Sequence, residues 1–259
     1  MKFRPCIDIH NGKVKQIVGG SLKDSGDYAK ENFVSEQDAA FFAHLYDEKG
    51  LTGGHIILLN AAGSPYYEAT LNQALSALRI APGKLQVGGG INAENAEMFL
   101  DAGASHVIVT SYVFSNGRVN YDNLKRLVSV TGKERLVLDL SCRKKDGKYF
   151  IVTDRWQNMT DVEVNEATLD ELSGYCSEML IHAVDVEGKQ SGTESKLIKE
   201  LGNWGKMPMT YAGGVHSIED IHALKKLSLG KLDVTVGSAL DIFGGSLSFD
   251  DVIEACKGE

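Results

Sequence analysis

A pattern of strand, glycines, helix and second strand occurs twice in this sequence, about half the chain apart, and constrains its fold most strongly. The first copy is LQVGGGINAENAEMFLDAGASHVIVTS (85–111), and the second is MTYAGGVHSIEDIHALKKLSLGKLDVTVGS (209–238). A repeat of this kind is typical of a fold assembled from duplicated units. The equivalent positions are Gly89-Gly90 with Gly213-Gly214, and Thr110-Ser111 with Gly237-Ser238.

Glycines at the ends of strands let backbone N–H groups approach an anion closely, because no Cβ intervenes. The helix that follows adds the positive end of its dipole, which favours phosphate. One glycine pair alone is more often an ordinary tight turn, but two copies in register predict two phosphate sites. We call them the first glycine site (Gly89, Gly90, Thr110 and Ser111) and the second glycine site (Gly213, Gly214, Gly237 and Ser238).

Strand and helix patterns alternate along all 259 residues, which is typical of a parallel sheet with helices outside. We predict eight strands and eight helices in one α/β domain, residues 1–259, folded as a single (β/α)₈ TIM barrel. The repeat divides it into half-barrels of approximately 1–131 and 132–259. Predicted helices include 35–49 with Ser35 as N-cap, 121–131 and 165–176.

Two long connections are candidate active-site loops. One covers 11–37, and the other covers 141–160 and is predicted to form a β-ribbon that turns at Asp146-Gly147. The second loop contains Trp156, which either packs under its own ribbon or closes as a lid on a planar ring. In the lid interpretation, Arg143 or Arg155 would contact a phosphate or carboxamide.

Two aspartates occupy equivalent strand ends, Asp8 in CIDI and Asp139 in VLDL. Active sites of such barrels lie at the carboxyl ends of the strands. One aspartate there is usually a cap or a loop contact, but two at equivalent places between apolar neighbours favour acid–base catalysis. We therefore predict an elongated ligand with a phosphate at each end. Asp185 is a candidate for positioning a hydroxyl, and His182 is interpreted as a satisfied core histidine.

Composition excludes several other classes. The net charge of −8 argues against a nucleic-acid partner, and no apolar run is long enough for a membrane span. The four cysteines and seven histidines show no metal-ligand spacing, so we expect neither metal nor cofactor. No secretory segment opens the sequence. We expect a cytoplasmic monomer that acts on a small bisphosphate.

Eight segments together resemble one family, the phosphoribosylformimino-aminoimidazole carboxamide ribotide isomerases of histidine biosynthesis, in their eukaryotic-type branch. These segments are CIDIHNGKVKQIVGG, QVGGGIN, VIVTS, VLDLSCRKKDGK, RWQ, IHAVDVEG, YAGG and VTVGSALDIFGG. The resemblance implies a half-barrel duplication and an Amadori rearrangement of an aminoaldose to an aminoketose, without metal or organic cofactor. It also implies that Asp8 is the general base, that Asp139 is the general acid, and that Trp156 suits the imidazole ring.

Some residues depart from that family's pattern. Asn60 stands where most members have Asp, and Val184 stands where Thr is common. Because of these changes, the sequence does not determine which side chains hydrogen-bond to Asp8 and Asp139.

Three other functions remain as alternatives. The cyclase subunit of imidazole glycerol phosphate synthase resembles this fold but has a lysine eight residues after its first aspartate, where this chain has Gln16. The analogous isomerase of tryptophan biosynthesis handles a single phosphate. A non-catalytic phosphosugar-binding barrel would require that the two aspartates do not reach the ligand.

Overall fold

The computed structural model describes residues 1–18, 21–23, 27–187 and 192–257. Residues 19–20 and 24–26 of the predicted loop 11–37 lie outside the described residues, as do 188–191 after the sixth barrel strand. In the described residues the strands are β1 (Cys6–His10), β2 (Lys13–Ile17), β3 (Glu31–Val34), β4 (Gly54–Leu58), β5 (Leu85–Gly88), β6 (Val107–Val109), β7 (Phe114–Ser115), β8 (Arg118–Val119), β9 (Leu136–Asp139), β10 (Cys142–Lys145), β11 (Lys148–Thr153), β12 (Asn158–Glu163), β13 (Glu178–His182), β14 (Met209–Ala212) and β15 (Leu232–Thr235).

The α-helices of the same ranges are α1 (Ala39–Glu48), α2 (Tyr67–Ile80), α3 (Ala96–Asp101), α4 (Tyr121–Thr131), α5 (Glu166–Leu172), α6 (Ser195–Trp204), α7 (Ile218–Leu227) and α8 (Phe249–Lys257). Two short 3₁₀ turns are also described, Lys133–Arg135 and Asp241–Phe243. None of the described helices combines the length and apolar character that a membrane crossing requires.

Eight of the described strands form a parallel sheet in the order β1-β4-β5-β6-β9-β13-β14-β15. The segment before β1 closes this sheet, because Phe3 bridges Val234 of β15 in parallel and the Arg4 N–H donates to the Val234 carbonyl at 2.8 Å. A helix follows each barrel strand before the next one begins, and α8 follows β15. The predicted (β/α)₈ fold is confirmed.

Side chains alternate between the two faces of a strand, and this alternation sets up the barrel interior. Ile108, Val137 and Leu180 pack together there, with Ile57 against them. The larger apolar core lies between the strands and the helices and includes Ile7, Phe42 and Phe99. Two residues beyond Val137 and Leu180 stand Asp139 and His182, so both side chains point inward at the carboxyl end of the barrel.

The two long connections add sheet structure at that end. β2 and β3 extend β1 as antiparallel strands. The predicted ribbon is confirmed in β10 and β11, since Asp146 and Gly147 adopt the positive φ of 51° and 80° that its tight turn requires. β12 pairs with β11 as a third strand that the sequence interpretation did not anticipate.

The predicted helix bounds agree with the structure where the sequence has a single clear signal for each end of the helix. Helix 121–131 is confirmed at both ends as α4. Ser35 as the N-cap of the first helix is wrong, because β3 ends at Val34 and the Ser35 Oγ accepts from the Gln37 N–H in the turn that follows. The helix begins at Ala39, and the Asp38 side chain caps it by accepting from the Phe41 N–H at 2.8 Å. The helix predicted over 165–176 ends at Leu172.

We expect Asp38→Ala to lower the free energy of unfolding by about 1 kcal/mol, because the cap satisfies one of the unpaired N–H groups of the first turn. The barrel itself should be unaffected, since Asp38 lies on the outer helix layer. Urea denaturation followed by circular dichroism measures the change. Ser35→Ala is the matched control. A larger decrease in the free energy of unfolding in Ser35→Ala than in Asp38→Ala would show that Ser35 is the N-cap.

Candidate active site

Two cavities lie side by side at the carboxyl end of the barrel. The larger has a volume of about 250 Å³ and is lined by the first glycine site, Asp8, Asp139 and Trp156. The smaller, of about 30 Å³, is lined by Asp8 and by the second glycine site, and it has room for one or two water molecules. Asp8, His182 and Glu187 line both. The two predicted aspartates therefore share one cavity, and both glycine sites adjoin it.

The glycine pairs occupy equivalent positions in the two halves of the barrel. Gly89 has φ +98°, and a Cβ built on it would lie 2.0 Å from the carbonyl oxygen of Leu58, the last residue of β4. Gly213 has φ +119°, and its Cβ would lie 2.8 Å from the carbonyl oxygen of Ala183, which follows β13. No larger residue fits either turn, which explains glycine at both places.

The two sites differ in how much room they have. A Cβ on Gly90 would meet nothing within 4 Å, although its φ is +72°. A Cβ on Gly214 would lie 2.1 Å from the Gly192 carbonyl oxygen, and one on Gly237 would lie 2.4 Å from Gln16 Oε1. The first glycine site is thus open to the larger cavity, whereas the second is enclosed by a neighbouring backbone segment and by one side chain.

Asp8 is held in a position suited to a base. Gln16 Nε2 donates to Asp8 Oδ2 at 3.4 Å. Burial, followed by the negative charge of Glu187, raises the pKa of Asp8 to about 7, while His182 and Gln16 act in the opposite direction. A carboxyl group with this pKa changes protonation near neutral pH, as an efficient general base must.

Asp139 accepts hydrogen bonds at both of its oxygens. The Ser141 N–H and Oγ–H donate to Oδ1 at 2.8 and 2.9 Å, and Thr110 Oγ1 donates to Oδ2 at 3.1 Å. His182 Nδ1 lies 3.4 Å from Oδ1. Burial acts to raise the pKa of Asp139, but His182 and these hydrogen bonds outweigh it and hold the pKa below its ordinary value.

His182 is a site residue that sequence reasoning misplaced in the core. Its ring lies 6.0 Å from the rings of both Trp156 and His55, measured between centroids. Burial acts to lower the pKa of His182, but Asp139, by charge and hydrogen bond, raises it to about 9. The signal that could have found it is its in-phase spacing from Leu180, which required knowing which face of the strand turns inward.

Glu187 was also missed, because it follows the strand in a loop with no periodic pattern. Its Oε2 is buried, with no hydrogen-bond partner among the described residues. Burial raises the pKa of this carboxyl group. Glu187 is therefore a further carboxyl group of the site, after Asp8 and Asp139.

Trp156 lines the larger cavity, and its Nε1 donates to Ser141 Oγ at 3.1 Å. Asp154, Arg155 and Trp156 have consecutive positive φ values of 52°, 55° and 66°, which strain residues other than glycine by about 1–3 kcal/mol each. The Asp154 N–H donates to Ser111 Oγ at 2.9 Å, so the ribbon is attached to the first glycine site. This strained turn directs the indole and Arg155 into the cavity.

Arg143 and Asp185 line neither cavity. Arg143 Nε lies 3.8 Å from Asp185 Oδ1, and Asp185 Oδ2 accepts from the Lys144 N–H at 2.9 Å. Their contact with a ligand remains a prediction. Within the described ranges, no group of three or more His, Cys, Asp or Glu side chains has an arrangement that could hold a metal ion.

The departures from the family pattern have structural explanations. Asn60 Oδ1 accepts from the Asn11 N–H and from Thr70 Oγ1, both at 2.8 Å, so this side chain fixes the loop after β1. Val184 is buried, with 2% of its surface exposed.

The position eight residues after Asp8 carries an amide in this chain. Gln16 contacts Asp8, whereas the neighbouring Lys15 extends to Glu31, with Nζ 2.5 Å from Oε1. The lysine next to that position is therefore engaged away from Asp8.

Comparisons with known proteins agree on one family. The profile of the family described as "Histidine biosynthesis protein" matches residues 2–247. A protein of Medicago truncatula named as a chloroplastic 1-(5-phosphoribosyl)-5-((5-phosphoribosylamino)methylideneamino)imidazole-4-carboxamide isomerase is 52% identical over 98% of this chain and 81% of its own length. Isomerases of the same name from Yarrowia lipolytica and Saccharomyces cerevisiae are 47% and 44% identical, over 98% and 96% of this chain and 97% and 96% of their own lengths.

Proposed function

The chain belongs to the family of histidine biosynthesis proteins, and on this premise we propose that it is the isomerase that converts the bisphosphate aminoaldose of that pathway to its aminoketose. The names of the relatives describe a substrate with two phosphoribosyl groups on one imidazole carboxamide. Two phosphates at the ends of one molecule match two glycine sites at one barrel mouth.

One observation carries this proposal: Asp8 and Asp139 line the same cavity, and the two glycine sites adjoin it. An Amadori rearrangement needs an acid that opens the furanose ring and a base that removes the C2′ proton. Asp8, with its pKa raised to about 7, fits the base. Asp139 and its partner His182 form the acid side of the cavity.

The remaining contacts are assigned from their positions. The first and second glycine sites hold one phosphate each through backbone N–H groups and the hydroxyl groups of Ser111 and Ser238. Thr110 contributes to the first glycine site while its hydroxyl group donates to Asp139. The Trp156 indole stacks on the imidazole carboxamide, and Arg155 beside it contacts a polar group of the ligand. Arg143 and Asp185 reach the ligand only if the ribbon moves towards the cavity on closure.

The direct test is to incubate the purified protein with the bisphosphate aminoaldose and to follow absorbance, with and without a coupled cyclase. We expect conversion that the cyclase drives to completion. Turnover without the aminoaldose, or cyclisation in the absence of added cyclase, would contradict the assignment. The Gln16 and Lys15 contacts described above favour the isomerase over the cyclase.

We expect Gly90→Ala to raise KM by about 10- to 100-fold with little change in kcat. The methyl group meets nothing in the protein but displaces a phosphate from its N–H donors, and hydrogen bonds to charged groups contribute about 1.5–3 kcal/mol each. Steady-state kinetics on the aminoaldose measures the effect. Gly63→Ala is the control, since a Cβ there is also unobstructed and lies outside both glycine sites. An unchanged KM would remove Gly90 from the phosphate site.

We further propose that the protein acts in the cytoplasm as a monomer. Its four cysteines are all free and buried, as in proteins of reducing compartments. Each proposed site residue comes from the same barrel, so catalysis does not require a second chain. Analytical ultracentrifugation at assay concentration tests the monomer, and a dimer as the active species would overturn it.

A further inference from the structure

The neighbours of Asp139 keep it an ionised carboxylate at neutral pH, with His182 Nδ1 3.4 Å from Oδ1. Both oxygens accept: Ser141 donates to Oδ1 and Thr110 to Oδ2. The Ser141 N–H can only donate, so Oδ1 stays an acceptor, and His182 and these hydrogen bonds hold the pKa of Asp139 below its ordinary value. The acid that opens the sugar ring must therefore be sought beside Asp139 rather than on it.

His182 is the neighbouring group that can carry the proton. Its Nδ1 faces Asp139, and its ring lines both cavities. Nε2 makes no hydrogen bond to any described part of the chain, and 12% of the side chain is exposed, towards the cavity. An imidazole held by a carboxylate at one nitrogen and open at the other is the arrangement in which a histidine transfers protons.

We propose that His182, oriented by Asp139, is the general acid of the isomerisation, an assignment that rests on the proposed function and refines it. In this arrangement the Asp139 carboxylate fixes the ring and stabilises its positive charge. The imidazolium Nε2–H then points at the sugar. Asp139 becomes a positioning residue, and His182 becomes the catalytic residue.

The proton balance closes over one turnover. His182 Nε2 donates its proton to the ring oxygen O4′ as the C1′–O4′ bond breaks and the nitrogen lone pair forms C1′=N. Asp8 then removes the C2′ proton, which produces an enolamine. The neutral His182 takes the proton of the 2′-hydroxyl as the C2′ ketone forms, and Asp8 returns its proton to C1′. Both residues end in their starting states, and no co-reactant is needed.

The charges around His182 support this role. Asp139 on β9, Glu187 after β13 and Asp8 on β1 all act to raise the pKa of His182, which reaches about 9 although burial opposes them. His55 on β4 acts in the other direction only when it is charged, and burial lowers its pKa to about 3. An acid with a pKa near 9 stays protonated at neutral pH and still releases its proton readily.

The test combines kinetics with a measurement that needs no turnover. In ¹⁵N-histidine-labelled wild-type protein, we expect His182 to titrate near pH 9. In His182→Gln, which can still donate to Asp139 but cannot ionise, kcat should fall by about 10²- to 10⁴-fold. KM should change little, and the loss of activity above pH 9 should disappear from the pH profile. The exposed His44 provides the control, His44→Gln, which should match the wild type.

Each outcome distinguishes this inference from the proposed function. If the wild type does not isomerise the aminoaldose, the proposed function fails whatever the NMR titration shows. If the wild type isomerises it and His182→Gln keeps both kcat and the basic limb, the general-acid assignment fails. If His182→Gln does not fold, the substitute experiment is to add imidazole to His182→Ala and to measure whether activity returns. The proposal is overturned if activity does not return and the pKa of His182 in the wild type, measured by ¹⁵N NMR, lies below 7.

Discussion

We expect Asp8→Asn to lower kcat by about 10²- to 10⁴-fold while KM for the aminoaldose stays near the wild-type value. Asparagine keeps the shape of the side chain and its contact with Gln16 but cannot accept the C2′ proton. The phosphates bind at the two glycine sites, which this change does not touch. Steady-state kinetics at pH 8 separates the two parameters, because a residue that acts only on the transition state changes kcat and not KM.

The same variant should be more stable than the wild type above pH 7. Burial raises the pKa of Asp8 from 3.8 to about 7, so the folded chain binds this proton more tightly than the unfolded chain does. The contribution of Asp8 to stability is therefore largest below pH 3.8 and falls as the pH rises to 7, by up to about 4 kcal/mol at 1.4 kcal/mol per pKa unit. Asparagine removes this loss.

Thermal unfolding at pH 5 and pH 8 measures that difference, with Asp38→Asn on the outer layer as the matched control. Near-normal kcat in Asp8→Asn would remove Asp8 from the role of base. A lower melting temperature than the wild type at pH 8 would show that the Asp8 carboxylate stabilises the folded chain.

Much of the site could be predicted because the chain repeats itself. Gly89 and Gly213 stand in equivalent turns against the carbonyls of the preceding strands, and the repeat alone predicted that equivalence. Asp8 and Asp139 could be placed in one cavity because parallel strands of a barrel end at one mouth. The division into two half-barrels remains a prediction, which these equivalences support.

What the sequence could not provide is the direction of side chains that have no partner in the repeat. His182 lies in an apolar strand, where a shift of one residue would turn it to the outer core. Gln16 reaches Asp8 only because β2 folds back on β1. In the described part of the second half, the strand after β9 pairs with β11 instead of folding back on β9. Glu187 follows a strand in a loop. In each case the position depends on tertiary contacts rather than on local periodicity.

We expect Asp139→Asn to lower kcat at pH 8 by about 10²- to 10⁴-fold, mainly through its effect on His182. The charge and hydrogen bond of Asp139 hold the pKa of His182 at about 9 against burial. Without them, burial dominates, as it does for the neighbouring His55, whose pKa is about 3. His182 would then be neutral at pH 8 and would have no proton to give.

The pKa values of Asp8 and His182 set the shape of the pH profile. In the wild type, activity should rise through pH 7 as Asp8 loses its proton and fall through pH 9 as His182 loses its own. In Asp139→Asn the basic limb should move to below about pH 6.5. Few molecules then have Asp8 deprotonated and His182 protonated at the same time, so activity stays low at every pH. Measurement of kcat from pH 5 to pH 10 tests the shift, and Asp38→Asn on the outer helix layer is the control. If the basic limb stays near pH 9 in Asp139→Asn, the protonation of His182 does not depend on Asp139. If the basic limb vanishes while His182 still titrates near pH 9 by ¹⁵N NMR, Asp139 itself is the general acid.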